Sequence, residues 1–248
     1  MGSIFAPAPI HLAILECDTP QPGARARYGT YGGMFEALLQ RDPKQIAVTK
    51  WQVDQDDAEY PDIASIEAVL MTGSKHSAYL DVPWINKLVA YTQAAINTGR
   101  VKIIGICFGH QILGRAMGVE VGLNKAGWEA AVLPVKLSPA GQALFKKHQL
   151  NLQFSHQDIV VECPQGVQNL GSTPRCAVQG MYVPGKLISL QGHPEFDETT
   201  VREILHRKLE QGAFDDQAFA EGMARVGREQ DGPFVGQIFV RFLLDELV

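Results

Sequence analysis

The chain has 248 residues, 46% hydrophobic and 20% charged, with a net charge of −5; that length can bury a sizeable core. An acidic balance without a basic block argues against nucleic acid or an anionic membrane as partner. No apolar run reaches the ~18 residues of a membrane span, and residues 1–13 carry no basic segment ahead of Pro7 and Pro9, so a secretory signal is not expected either.

The first half alternates strand and helix patterns. Residues 12–16 read as a short apolar strand, and residues 31–40 as a helix with Met34, Leu38 and Leu39 on one side. Residues 45–53 and 66–71 read as two further strands, the second running into Thr72-Gly73-Ser74. Asp81-Val82-Pro83 opens a helix to Asn97, with Ile85, Leu88, Val89, Thr92 and Ile96 at helical spacing and Gly99 beyond it. Residues 101–106 form a fourth strand. The middle changes character: residues 129–136, 151–154, 159–162, 166–170, 177–183 and 186–190 are short strand candidates separated by Gly, Pro and Asn, with a helix at 138–147. Turn chemistry at Tyr182-Val183-Pro184-Gly185-Lys186 suggests a hairpin. Val201, Ile204, Leu205 and Leu209 mark a helix after Asp197, and Val235, Ile238, Phe239, Phe242 and Leu243 mark the last one. A third helix is expected within residues 215–230. This order predicts one three-layer, flavodoxin-like α/β domain over residues 1–248. Its central sheet is mostly parallel and flanked by helices, with extra antiparallel strands and the helices of 197–248 packed on it.

The four cysteines, Cys17, Cys107, Cys163 and Cys176, include no C-x-x-C pair, so no zinc site is expected. Their scatter fits a reducing, cytoplasmic location. One of them stands apart. Gly105-Ile106-Cys107-Phe108-Gly109-His110-Gln111 follows an apolar strand and leads into a helix with Ile112, Leu113, Ala116 and Met117 on one face. Strand, sharp turn and helix with a thiol at the turn is the form of a nucleophile elbow. The flanking glycines suit backbone that passes too close for a Cβ, and a helix N-terminus beneath the sulfur favours the thiolate.

A second motif, Gly192-His193-Pro194-Glu195, ends another strand candidate. His193 and Glu195 lie two apart, so in extended chain they point the same way. An imidazole can take the thiol proton and return it to a leaving amine, and a carboxylate behind it fixes the tautomer.

With these two stretches the chain resembles the class I glutamine amidotransferases, the Cys–His–Glu triad family, over roughly residues 10 to 200, a span set by the element pattern. The resemblance implies Cys107 as nucleophile, His193 as general base and acid, and Glu195 as the residue orienting it. It implies an oxyanion hole from the backbone N–H groups of Gly73 and Phe108, and substrate contacts from Gln111 and from the loop that holds His156, Gln157 and Asp158; Ser74 either helps hold the substrate or caps its own loop. The family's usual small residue at the position of Gln157 is absent here. His110 is expected to be structural. The implied chemistry is acyl transfer through a γ-glutamyl thioester, with no metal or organic cofactor. Gly73-Ser74-Lys75-His76-Ser77-Ala78-Tyr79 is similar to the stand-alone γ-glutamyl peptidase branch, which acts on glutathione or its conjugates, and lacks the Gly-Gly-Pro of synthetase-linked domains. Two alternatives stand beside that reading: a glutaminase subunit feeding ammonia to a separate synthase partner, and a non-catalytic regulatory protein on the same fold.

Overall fold

The computed structural model describes residues 8–247 apart from Arg41 and Pro43; the chain's first seven residues, Pro7 included, lie outside the described residues. In chain order the elements are β1 (Ile10–Glu16), α1 (Pro22–Tyr28), α2 (Tyr31–Leu39), β2 (Ile46–Gln52), β3 (Ala68–Met71), α3 (Pro83–Asn97), β4 (Lys102–Ile106) and α4 (Phe108–Ala116). Then come β5 (Val121–Leu123), β6 (Glu129–Leu137), α5 (Pro139–Phe145), β7 (Gln149–His156), β8 (Asp158–Val160), β9 (Gln168–Asn169) and β10 (Gly171–Ser172). The chain closes with β11 (Gly180–Val183), β12 (Leu187–Leu190), α6 (Glu198–Glu210), α7 (Asp216–Met223) and α8 (Gly232–Leu243).

The central sheet runs β2-β1-β3-β4-β12-β11-β9. Its first five strands pair in parallel, and β11 turns back antiparallel between β12 and β9. The order β2-β1-β3-β4 is that of doubly wound sheets of the flavodoxin type. Strands β3 and β4 are buried at every position, as parallel strands covered on both faces must be. The two-residue period divides the core into layers. Leu12 and Ile14 face Phe35 of α2 and Phe239 and Phe242 of α8; Ala13 and Leu15 face Ile85 and Leu88 of α3 and Ile112 and Leu113 of α4.

The expected hairpin forms, with Val183 opposite Leu187 and Gly185 at φ 67°. A second sheet, β10-β6-β7, stands beside the first. Two of the three expected C-terminal helices start on aspartate caps: Asp197 accepts from the Thr200 N–H at 2.8 Å and Asp215 from the Ala218 N–H at 2.7 Å.

Some boundaries differ from the sequence expectation. The strand expected at 166–170 is only the two residues of β9, because the chain changes sheets between Asn169 and Gly171. The one expected from 177 starts at Gly180, since the Ala177 carbonyl accepts from the Asn169 side chain instead of a ladder partner. Helix α1 has no counterpart in the sequence reading: Ala24 is its one buried residue, so it shows no apolar period.

Candidate active site

The carboxyl ends of β3, β4 and β12 meet at one place. Cys107 sits between β4 and α4 at φ 51°, ψ −100°, a region that non-glycine residues enter only when the surroundings impose it. The surroundings do. The Cys107 N–H donates to the Leu190 carbonyl at 2.8 Å, its carbonyl accepts from Gln111 N–H at 3.1 Å, and Gly109 N–H donates to the Thr72 carbonyl at 3.2 Å. A Cβ on Gly105 would stand 2.7 Å from the Gly109 carbonyl oxygen, and one on Gly109 would run into the Met71 carbonyl. Both glycines are therefore steric requirements of the turn.

His193 follows β12. Its N–H donates to the Gln153 carbonyl at 2.8 Å, its Nδ1 meets Glu195 Oε1 at 2.6 Å, and its ring lies on Phe196 with centroids 3.9 Å apart and planes 4° apart. Burial opposes the imidazolium, but the charges of Glu195 and Cys107 beside it outweigh that and push the His193 pKa up to about 10. Gly73, just past β3, completes the enclosure. A Cβ there would lie 2.7 Å from His193 Cε1 and 3.7 Å from Cys107 Cβ, so bare backbone is all that fits. Its loop is fixed by Thr72, whose hydroxyl accepts from Cys17 N–H and donates to the Gly73 carbonyl, both at 3.0 Å. Phe108 opens α4, so its N–H has no carbonyl one turn back to bond.

Over the thiol opens a cleft of about 350 Å³. Cys107, His193, Ser74, Gln111, His156, Gln157 and Asp158 all line it, while Glu195 stands behind the imidazole with its side chain fully enclosed. Several of these groups have internal partners. The Gln111 side-chain nitrogen donates to the Asp158 carbonyl at 2.9 Å and to Gln191 Oε1 at 3.1 Å, so the amide oxygen is what it can offer a ligand. His156 has Nε2 3.0 Å from Glu129 and Nδ1 2.9 Å from the Asp158 carbonyl, which commits both nitrogens to the cleft floor. Ser74 Oγ accepts from the His76 N–H at 3.2 Å. Lys75 pairs with Asp18 at 2.6 Å. Burial raises the pKa of the Asp158 carboxyl, with a hydrogen bond to Ser77 working against it. His110, on the buried side of α4, has Nδ1 on Ser189 Oγ at 2.8 Å, and burial pushes its pKa down to about 3.

Sequence reasoning passed over Asp18, Tyr31, Trp128 and Lys208, which also line the cleft. Ile204 and Lys208 share one face of α6, but that spacing does not say which cavity the face lines. Among the described residues no group of three or more His, Cys, Asp or Glu is placed to hold a metal ion.

Thiol, imidazole and carboxylate in series beside bare backbone N–H groups is an arrangement suited to nucleophilic acyl transfer, on a sheet of doubly wound type. The model of the family "Glutamine amidotransferase class-I" matches residues 34–211. A glutamine amidotransferase-like protein of Schizosaccharomyces pombe is 36% identical over 245 residues, 95% of this chain and 99% of that one. Gamma-glutamyl peptidase 4 of Arabidopsis thaliana is 30% identical over 80% of each chain. Among solved structures, a glutamine amidotransferase of Thermotoga maritima superposes with a TM-score of 0.71 at 17% identity, covering 96% of this chain and 97% of that one, a likeness of fold. The chain belongs to the class-I glutamine amidotransferase family.

Proposed function

We propose that the protein cleaves a γ-glutamyl amide bond through a γ-glutamyl thioester on Cys107, as a stand-alone peptidase acting on glutathione-like peptides or γ-glutamyl conjugates. The observation that carries this is the Cys107–His193–Glu195 series, with the His193–Glu195 contact at 2.6 Å and Gly73 closed against both reacting groups. Burial opposes a charge on His193, but Glu195 and Cys107 beside it outweigh that and favour the imidazolium. The Cys107 thiolate attacks the γ-carbonyl carbon, and the N–H groups of Gly73 and Phe108 receive the oxyanion. His193 gives its proton to the departing amine as the C–N bond breaks. Water then attacks the thioester and gives a proton to His193; the C–S bond breaks, and glutamate leaves with the thiolate restored. Glu195 holds the imidazole in the tautomer these transfers need.

Two observations favour a peptide over glutamine as substrate: the similarity to a plant γ-glutamyl peptidase, and a Gly73-Ser74-Lys75 loop without Gly-Gly-Pro. The test is glutamate release by the purified protein from glutathione, glutamine and a chromogenic γ-glutamyl anilide. Rapid turnover of glutathione without any second protein is expected, abolished in Cys107→Ala. Ammonia release from glutamine that appears only with a synthase partner would contradict the peptidase reading. Turnover retained in Cys107→Ala would contradict the thioester itself.

A further inference from the structure

Part of the cleft wall comes from α6, which brings Lys208 in over Trp128. The Lys208 Nζ stands 3.8 Å from the Trp128 ring centroid, and Trp128 is braced edge-on by Phe214 at 5.3 Å. This seats the ammonium itself on an aromatic face, in the cavity that Lys208 and Trp128 both line. Three lysine and arginine side chains line that cavity. Lys75 is paired with Asp18 at 2.6 Å, and Arg207 donates to Gln21 Oε1 at 2.6 Å. Lys208 has no oxygen partner among the described residues. It is an oriented, partly desolvated ammonium whose hydrogen-bonding capacity is unspent, and such a group is completed by an anion entering from the cavity.

We propose that Lys208 is the specificity-determining cation of this cleft and binds a carboxylate of the substrate. This rests on the γ-glutamyl reading, which it sharpens. A γ-glutamyl peptide offers that carboxylate from two places, the α-carbon of the glutamyl group and the amino acid that leaves. Burial lowers the Lys208 pKa to about 8, with Cys107 and Asp158 only partly opposing it. A bound carboxylate supplies the charge that the protein leaves out. Arg207, on the preceding position of the same helix, already has an internal oxygen partner in Gln21.

The experiment compares wild type, Lys208→Met and Lys208→Arg. Methionine keeps a flexible apolar stem over Trp128 and removes the charge; arginine returns the charge. For each protein, kcat and KM are measured with a γ-glutamyl dipeptide, glutamine and a γ-glutamyl anilide. Binding of L-glutamate, and of the dipeptide in a Cys107→Ala background, is measured by calorimetry. Lys208→Met is expected to raise KM and weaken binding about 10- to 100-fold with little change in kcat, and Lys208→Arg to recover part of the loss. A loss shared by all three substrates and by glutamate assigns the α-carboxylate of the glutamyl group. A loss confined to the dipeptide assigns the carboxylate of the leaving amine. Unchanged KM and unchanged affinities in Lys208→Met overturn the proposal while leaving γ-glutamyl cleavage standing. If wild type cleaves none of the substrates, the γ-glutamyl reading fails, and the calorimetry still decides the role of Lys208: affinity that depends on its charge upholds it, and absent or charge-independent binding overturns it.

Discussion

Cys107 occupies a backbone conformation that costs on the order of 1–3 kcal/mol for a non-glycine residue. That cost is offset by the hydrogen bonds to Leu190 and Gln111 and the tight approach of Gly105 and Gly109. The same logic makes Gly73 the most exacting position of the site. The His193 edge it touches cannot retreat, because Glu195 holds Nδ1 and Phe196 covers the ring face. Gly73→Ala is therefore expected to lower kcat/KM by about 100-fold or more, the scale of a misplaced oxyanion donor, with an unchanged circular dichroism spectrum; near-normal activity would show that the loop yields. The raised His193 pKa has its own signature. A histidine whose pKa is higher folded than its ordinary 6.5 contributes stability fully present below 6.5 and lost as pH rises through about 10. The imidazolium that donates to the leaving amine follows the same limb, so kcat/KM is expected to fall near pH 10. Cys107→Ala removes one of the two charges that raise it, so NMR titration of His193 in that variant is expected to give a lower pKa; an unchanged value would mean Glu195 alone sets it. These residues were legible in the sequence because each motif is local, with glycines bracketing a cysteine and a histidine two positions from a glutamate. Lys208 and Asp18 were not, since nothing near them in the chain says which cavity they line.

Helix α6 joins the site to the rest of the fold. Its Glu203 carboxylate accepts from the Gly23 N–H at 2.9 Å and the Ala24 N–H at 3.3 Å, tying down the start of α1. Glu203→Ala removes the partner of two helix-end donors, a loss of about 1 kcal/mol by analogy with capping changes. Phe239 of α8 is fully buried in the layer containing Leu12, Ile14 and Phe35, so Phe239→Ala is expected to cost about 3–5 kcal/mol. Urea denaturation orders the two; a larger loss in Glu203→Ala would mean that α1 docking, not the α8 layer, limits stability. Elements such as α8 were readable because burial on one face imposes a period on their sequence. Helix α1 and the step from β9 to β10 were not, because polar contacts and a change of sheet hold them, and neither leaves a hydrophobic pattern.

At the scale of the molecule, three strands separated in the chain are neighbours in one sheet, and their carboxyl ends deliver Gly73, Cys107 and His193 to a single cleft. The alternation of strand and helix patterns pointed to that parallel arrangement, while the position of β12 beside β4 arises from tertiary pairing. The central claim is that Cys107 becomes a γ-glutamyl thioester. Acid-quenched reaction of the protein with a γ-glutamyl dipeptide, read by intact and peptide mass spectrometry, tests it most directly. The expected result is a single glutamyl adduct on the peptide containing Cys107, cleared by hydroxylamine and absent in Cys107→Ala. Steady turnover with no adduct on Cys107, or an adduct on Cys163 instead, would contradict it.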